Sequence, residues 1–163
     1  MATLRAGLIL GILVVLWTLV MGFTGWYHHP TLHVLFWLVI PLQIAVLLVL
    51  LRITAPVCGY VRQVGNGVAA SVIASAIIFV GSLFFTVVLF PSYFREMEAL
   101  GRLKMAQEGL APAQIDALIQ AQSGMLRPLP TAFSGVLGTW FTGLLTSLIA
   151  STWLRKRRPE AGA

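Results

Sequence analysis

Gly67 to Phe90 reads GVAASVIASAIIFVGSLFFTVVLF, 24 residues without a charge, and Pro91 closes it. A helix rising about 1.5 Å per residue over that length crosses the roughly 30 Å hydrocarbon core of a bilayer. The stretch lies inside a charge-free interval of 32 residues between Arg62 and Arg95. Two more such intervals flank it, 46 residues between Arg5 and Arg52 and 27 between Arg127 and Arg155. The whole chain of 163 residues is 58% hydrophobic and 10% charged, with a mean hydropathy of +0.91. A soluble fold of this size has too little interior to hide so much apolar chain. A soluble enzyme and a disordered tail are therefore excluded. A disulfide scaffold is excluded too, because Cys58 is the only cysteine. The expected fold class is all-α, a transmembrane four-helix bundle in one membrane domain.

Outward from that stretch, three further spans follow from hydropathy and breakers. Residues 6–26 make the first; the aromatic and histidine-rich Trp26-Tyr27-His28-His29 and then Pro30 turn the chain at the interface. Residues 31–51 return, with Pro41 near the middle, where a missing N–H predicts a kink. Arg52 to Asn66 reads as a short polar connection, 67–90 as the third span and 131–154 as the fourth. The apolar run after Arg5 is longer than the ~7–15 residues of a signal peptide and lacks a small-residue cleavage site, so a retained helix is expected.

Charge sets the orientation. Eleven Lys and Arg against five Asp and Glu give a net charge of +6. Four of the cations form the run Arg155-Lys156-Arg157-Arg158 directly after the last span. No aromatic side chain interleaves with that run, so no nucleic-acid partner is expected. An even number of spans puts Arg5, Arg52, Arg62 and this run on one side, and Arg95, Arg102, Lys104 and Arg127 on the other. The heavier side predicts cytoplasmic termini and a multi-pass protein of the bacterial inner membrane.

The connection 91–130 is the one sizeable segment outside the spans. Tyr93, Phe94, Met97 and Leu100 recur at helical spacing and predict a helix that continues from the third span along the membrane surface. Gly109 breaks it. Pro112 then starts a second helix whose Ile115, Leu118 and Ile119 form a stripe. Two short helices capping the bundle are expected; a docking surface for a partner is the sharper alternative.

The spans contain no Asp, Glu, Lys or Arg, which argues against a pump or proton-coupled transporter. Gln43 is the most polar side chain within them and is expected to satisfy a carbonyl freed by the Pro41 kink. His28, His29 and His33 form the candidate ligand cluster. His29 and His33 share a helical face if the second helix starts at Pro30, and imidazole there could hold haem or a chlorophyll-type pigment. Interfacial anchoring beside Trp26 and Tyr27 is the plainer reading, and no cofactor or metal is expected. Small residues recur every fourth position: Gly7 and Gly11, then Gly67, Ser71 and Ser75, then Gly135, Thr139, Gly143 and Ser147. Beside the last column run Ser134, Gly138, Thr142 and Thr146. Such stripes let helix backbones approach closely, within the monomer or against another subunit. No phosphate loop, nucleophile elbow, zinc-protease motif or usable carboxylate pair is present, since Glu96 and Glu98 point to different sides of a helix.

Four segments together resemble a family of small bacterial inner-membrane proteins of unknown function, DUF4199. They are Ala6-Gly7-Leu8-Ile9-Leu10-Gly11, Phe90-Pro91-Ser92-Tyr93, Leu110 to Asp116, and Leu145 to Ala150 before the basic tail. The resemblance covers nearly the whole chain. It implies four inner-membrane helices and transfers no catalytic residue. Ala111 departs from it where a serine cap is expected before Pro112.

The functional expectation is a non-enzymatic structural or accessory membrane protein that associates with itself or a larger complex in the lipid bilayer. A haem- or pigment-binding subunit is the alternative. A small transporter or channel is the second, with Gln43, Ser75, Ser82 and Thr86 as a thin polar stripe.

Overall fold

The computed structural model describes residues 1–29 and 31–156. The expectations on Pro30, Arg157 and Arg158 lie outside the described residues, as do the side chains of His33, Arg155 and Lys156. The described chain is mostly helical, with no strand. The α-helices are α1 Ala2–Phe23, α2 Val39–Thr54, α3 Tyr60–Leu83, α4 Tyr93–Gln107, α5 Pro112–Gln122 and α6 Pro128–Lys156. Four stretches are long and apolar enough to cross a membrane: Ala2–Phe23, Val34–Thr54, Tyr60–Leu89 and Pro128–Leu154.

These four close into a ring in the order α1, α3, α6, α2, with α3 packing most extensively on α6 and α1. Parallel and antiparallel neighbours alternate. Gly7 of α1 lies against Ala70 and Ile73, and Gly11 against Ile77, so α1 and α3 run in step in the same direction. On the other side of α3 the register reverses: Gly67 faces Ser147, and Ser71 faces Gly143. Each glycine thus meets a serine of the opposing helix, which brings the backbones together. The serine hydroxyls turn back to their own helices, Ser71 Oγ to the Gly67 carbonyl at 3.0 Å and Ser147 Oγ to the Gly143 carbonyl at 2.6 Å. Neither of these two hydroxyls is thereby left unbonded at the contact. Leu10, Val14, Ala74 and Ile78 form one buried cluster, and Leu47, Leu50 and Ala70 another.

Three expectations are corrected. Pro41 does not kink the middle of a helix. Leu32–Leu38 winds as a 3-10 helix and α2 begins at Val39, so Pro41 sits in the first α-turn, where N–H groups have no intrahelical partner anyway. The indole of Trp17 ties the 3-10 segment to α1, donating to the Leu35 carbonyl at 3.1 Å. The connection Arg52 to Asn66 is mostly helix: α2 runs to Thr54 and α3 starts at Tyr60. Polar Gln63 is buried within it because its amide donates to the Leu51 carbonyl at 3.1 Å.

The third correction concerns the helix expected to continue from the third span. Phe84–Leu89 widens into a π-helix and Phe90 leaves helical geometry at φ −130 and ψ 66. Pro91 supplies no N–H to carry the ladder onward. The Phe90 N–H instead closes an i to i−5 bond to the Phe85 carbonyl at 2.8 Å. That wide turn brings the Phe85 and Phe90 rings to a centroid separation of 4.7 Å. The chain restarts as α4, which Gly109 ends at φ +85, and α5 packs back on it through buried Ile115 and Ile119. Ala111 lacks a capping hydroxyl, yet its N–H is met by the Gln114 side-chain oxygen at 3.1 Å. Half of a capping box therefore remains.

Candidate functional site

The turn after α1 and the start of α4 meet at one corner of the bundle. Gly25 adopts φ +67, a conformation that favours glycine, and lets the chain reverse into the 3-10 turn Trp26–His28. That turn buries Tyr27 among aromatic rings: Tyr93 at 5.2 Å, Phe90 at 6.4 Å and, beside it, His28 at 3.9 Å. The carboxylate of Glu96 stands over this cluster. The Tyr27 hydroxyl donates to its Oε2 at 2.7 Å and the Ser92 hydroxyl to its Oε1 at 2.6 Å. His28 Nε2 lies 2.8 Å from Oε2, and because an ionised carboxylate only accepts, the imidazole is the donor.

Those donors fix the protonation states. The Ser92 hydroxyl, then Tyr27 and His28, hold the Glu96 carboxyl down at about 2. Burial, then the bond to Glu96, pushes the Tyr27 phenol well above its ordinary value, and burial raises Tyr93. Glu96 is thus an anion and Tyr27 a neutral donor at physiological pH. The arrangement holds α4 against the turn after α1; neither group is poised to exchange a proton near neutrality.

Of the expected histidine cluster, the two described side chains, His28 and His29, turn to different partners. His29 is extended at φ −82 and ψ 130, and its Nδ1 lies 2.9 Å from the Thr31 hydroxyl. His28 turns instead to Glu96. Among the described residues, no three His, Cys, Asp or Glu side chains come together as a metal site. Glu96, read in the sequence only as half of a poor acid/base pair, is the residue that gathers the corner. Its partner Ser92 at i−4 was the available local signal; Tyr27 lies 69 residues away.

The second group of polar residues is inside the bundle. Gln43 does not reach a carbonyl of its own helix; its Nε2 donates across to the Thr139 carbonyl of α6 at 2.7 Å. Ser75 accepts from the Trp140 indole at 2.8 Å and donates to the Val72 carbonyl at 2.8 Å. Thr86 donates to the Ser82 carbonyl at 2.8 Å, and Thr139 to the Gly135 carbonyl at 2.8 Å. The small residues divide by column. Gly143 and Ser147 pack on α3, Gly135 only grazes Ile78, and Gly138 has nothing near it. Thr142 and Thr146 of the neighbouring column line a groove between α6 and α2.

A family model described as a protein of unknown function (DUF4199) matches residues 5–156. No curated protein and no solved structure matches the chain.

Proposed function

We propose, from the premise that the chain belongs to the DUF4199 family, that it is a non-enzymatic integral protein of the bacterial inner membrane. In this reading it is a structural or accessory subunit that packs with itself or with a larger membrane complex, and both termini are cytoplasmic. The seven cations at the terminal end against four at the other support that orientation. The observation that carries the accessory role is the α4–α5 hairpin. Outside the spans, where lipid tails do not cover it, it leaves Leu103 and Leu118 exposed at 61% and 41%, with Met125 in the turn that follows at 76%. Large apolar side chains left exposed on an extramembrane element support a contact surface. The embedded polar groups support the same reading, because Gln43 and Trp140 link α2 and α3 to α6 in one fixed arrangement.

Purification from native membranes in mild detergent, with the particle mass measured, tests it. The expected particle is heavier than a monomer, and L103S with L118S reduces it to the monomer without loss of helicity. A monomeric wild-type particle overturns the proposal.

A further inference from the structure

The second span depends for its length on how one segment is wound. α2 has 16 residues, which at about 1.5 Å each reach about 24 Å. That falls short of the roughly 30 Å hydrocarbon core. The rest of the span comes from Leu32–Leu38, seven residues of 3-10 helix. Runs of this winding beyond about four residues are uncommon, and each residue rises about 2.0 Å. Rewinding the segment as α-helix would shorten the span by about 3.5 Å.

Two features favour the longer form. Pro41 has no N–H to offer the Trp37 carbonyl four residues earlier, so the α-helical bond is closed to that carbonyl and a donor three residues on suits it better. The Trp17 indole of α1 donates to the Leu35 carbonyl at 3.1 Å. Rewinding the residues between Leu35 and α2 swings that carbonyl about 80° around the axis and breaks the bond. Against both stands the poorer hydrogen-bond geometry of a 3-10 helix. Val34, Phe36, Trp37 and Leu38 are exposed on the outside of the bundle, so few contacts hold the winding. Apart from the Trp37 carbonyl, either winding keeps the backbone bonded within the segment, as lipid demands.

We infer that Leu32–Leu38 fits the second span to the thickness of the bilayer. It is wound 3-10 where the membrane is thick and α-helical where it is thin, with Trp17 as the clasp of the longer form. Membranes differ in hydrocarbon thickness by a few ångströms, the size of the change available here. A rigid span answers a thinner bilayer by tilting, which leaves distances within the span unchanged. The inference does not depend on the accessory role proposed above.

The test places spin labels on the full chain at T31C and I53C, both exposed positions, with C58S removing the native thiol. Their separation is measured by pulsed electron resonance in vesicles of dimyristoleoyl, dioleoyl or dierucoyl phosphatidylcholine. It is expected to shorten by about 3.5 Å from the thickest bilayer to the thinnest. A control pair on α3, V61C with V80C, both exposed, keeps its separation throughout. In dioleoyl vesicles, W17F and P41A are expected to show the short separation where the wild-type segment shows the long one. Circular dichroism confirms that each variant is folded. A separation that stays fixed in all three bilayers overturns the inference and leaves tilt as the response. An equal change in the α3 pair overturns it too, as does a response that neither variant alters.

Discussion

The side-chain amide of Gln43 in α2 donates to the backbone carbonyl of Thr139 in α6 at 2.7 Å, and Gln43 is 3% exposed. Lipid gives helices no hydrophobic reason to associate, so such a bond adds directly to packing. Q43L keeps the bulk and removes the donor. It is expected to destabilise the bundle by about 1 kcal/mol, read as an earlier midpoint when the detergent-solubilised protein is titrated with a denaturing detergent. An unchanged midpoint would show that the amide adds nothing to the α2–α6 contact.

The two Gly–Ser crossings between α3 and α6 predict a sharp contrast among glycines. A methyl group on Gly67 lands on Ser147, and one on Gly143 lands on Ser71; in each case it meets the serine Cβ as well as the hydroxyl. Serine cannot swing its Cβ away, so the helices themselves must separate. G67A and G143A are expected to cost about 1–3 kcal/mol each. At Gly138 nothing lies within 4 Å, and G138A is expected to be neutral or to stabilise by up to about 1 kcal/mol through helix propensity. The same detergent titration compares all three.

The spans were legible because charge-free length is a one-dimensional property, and so was the restart at Pro112. The four-residue spacing of Gly67 with Ser71 and of Gly143 with Ser147 was visible too. That the two sets face each other in opposite directions is a matter of topology, which spacing along one helix does not carry. Pro41 was misread because hydropathy marks the extent of a span but not its winding; only the start of α2 at Val39 turns a kink into a first-turn proline. Glu96 was missed for a related reason. Its gathering of Tyr27 and His28 depends on the break at Phe90, and the fixed φ and missing N–H of Pro91 signal a break without giving the angle at which α4 leaves.

Glu96 makes the corner acid-sensitive in a defined direction. A carboxyl held at about 2 in the folded chain and near 4.3 when unfolded contributes stability that is complete above the unfolded value. That contribution is lost as pH falls through about 2. Hydrogen exchange in the first turn of α4 is therefore expected to be flat between pH 5 and 8 after correction for intrinsic rates, and to accelerate below about 4. E96Q should show the faster exchange at neutral pH and lose the acid step. An identical acid step in E96Q would assign it to another group.

The α4–α5 hairpin offers a choice between charge and burial as its fastening. Arg102 donates from Nε to Glu98 at 3.1 Å and from a terminal nitrogen to Asp116 at 2.6 Å, but the guanidinium and both carboxylates are open to water. Screening leaves such pairs little net weight. Ile115 and Ile119 on α5 are 8% and 6% exposed, and removing either buried side chain forfeits transfer energy and opens a cavity. I119A is thus expected to loosen α5 by about 2 kcal/mol, seen as faster exchange of its amides while those of α3 stay protected. R102Q should have a smaller effect that vanishes at high salt. The opposite ranking would mean that the ion pairs, not the isoleucines, hold the hairpin closed.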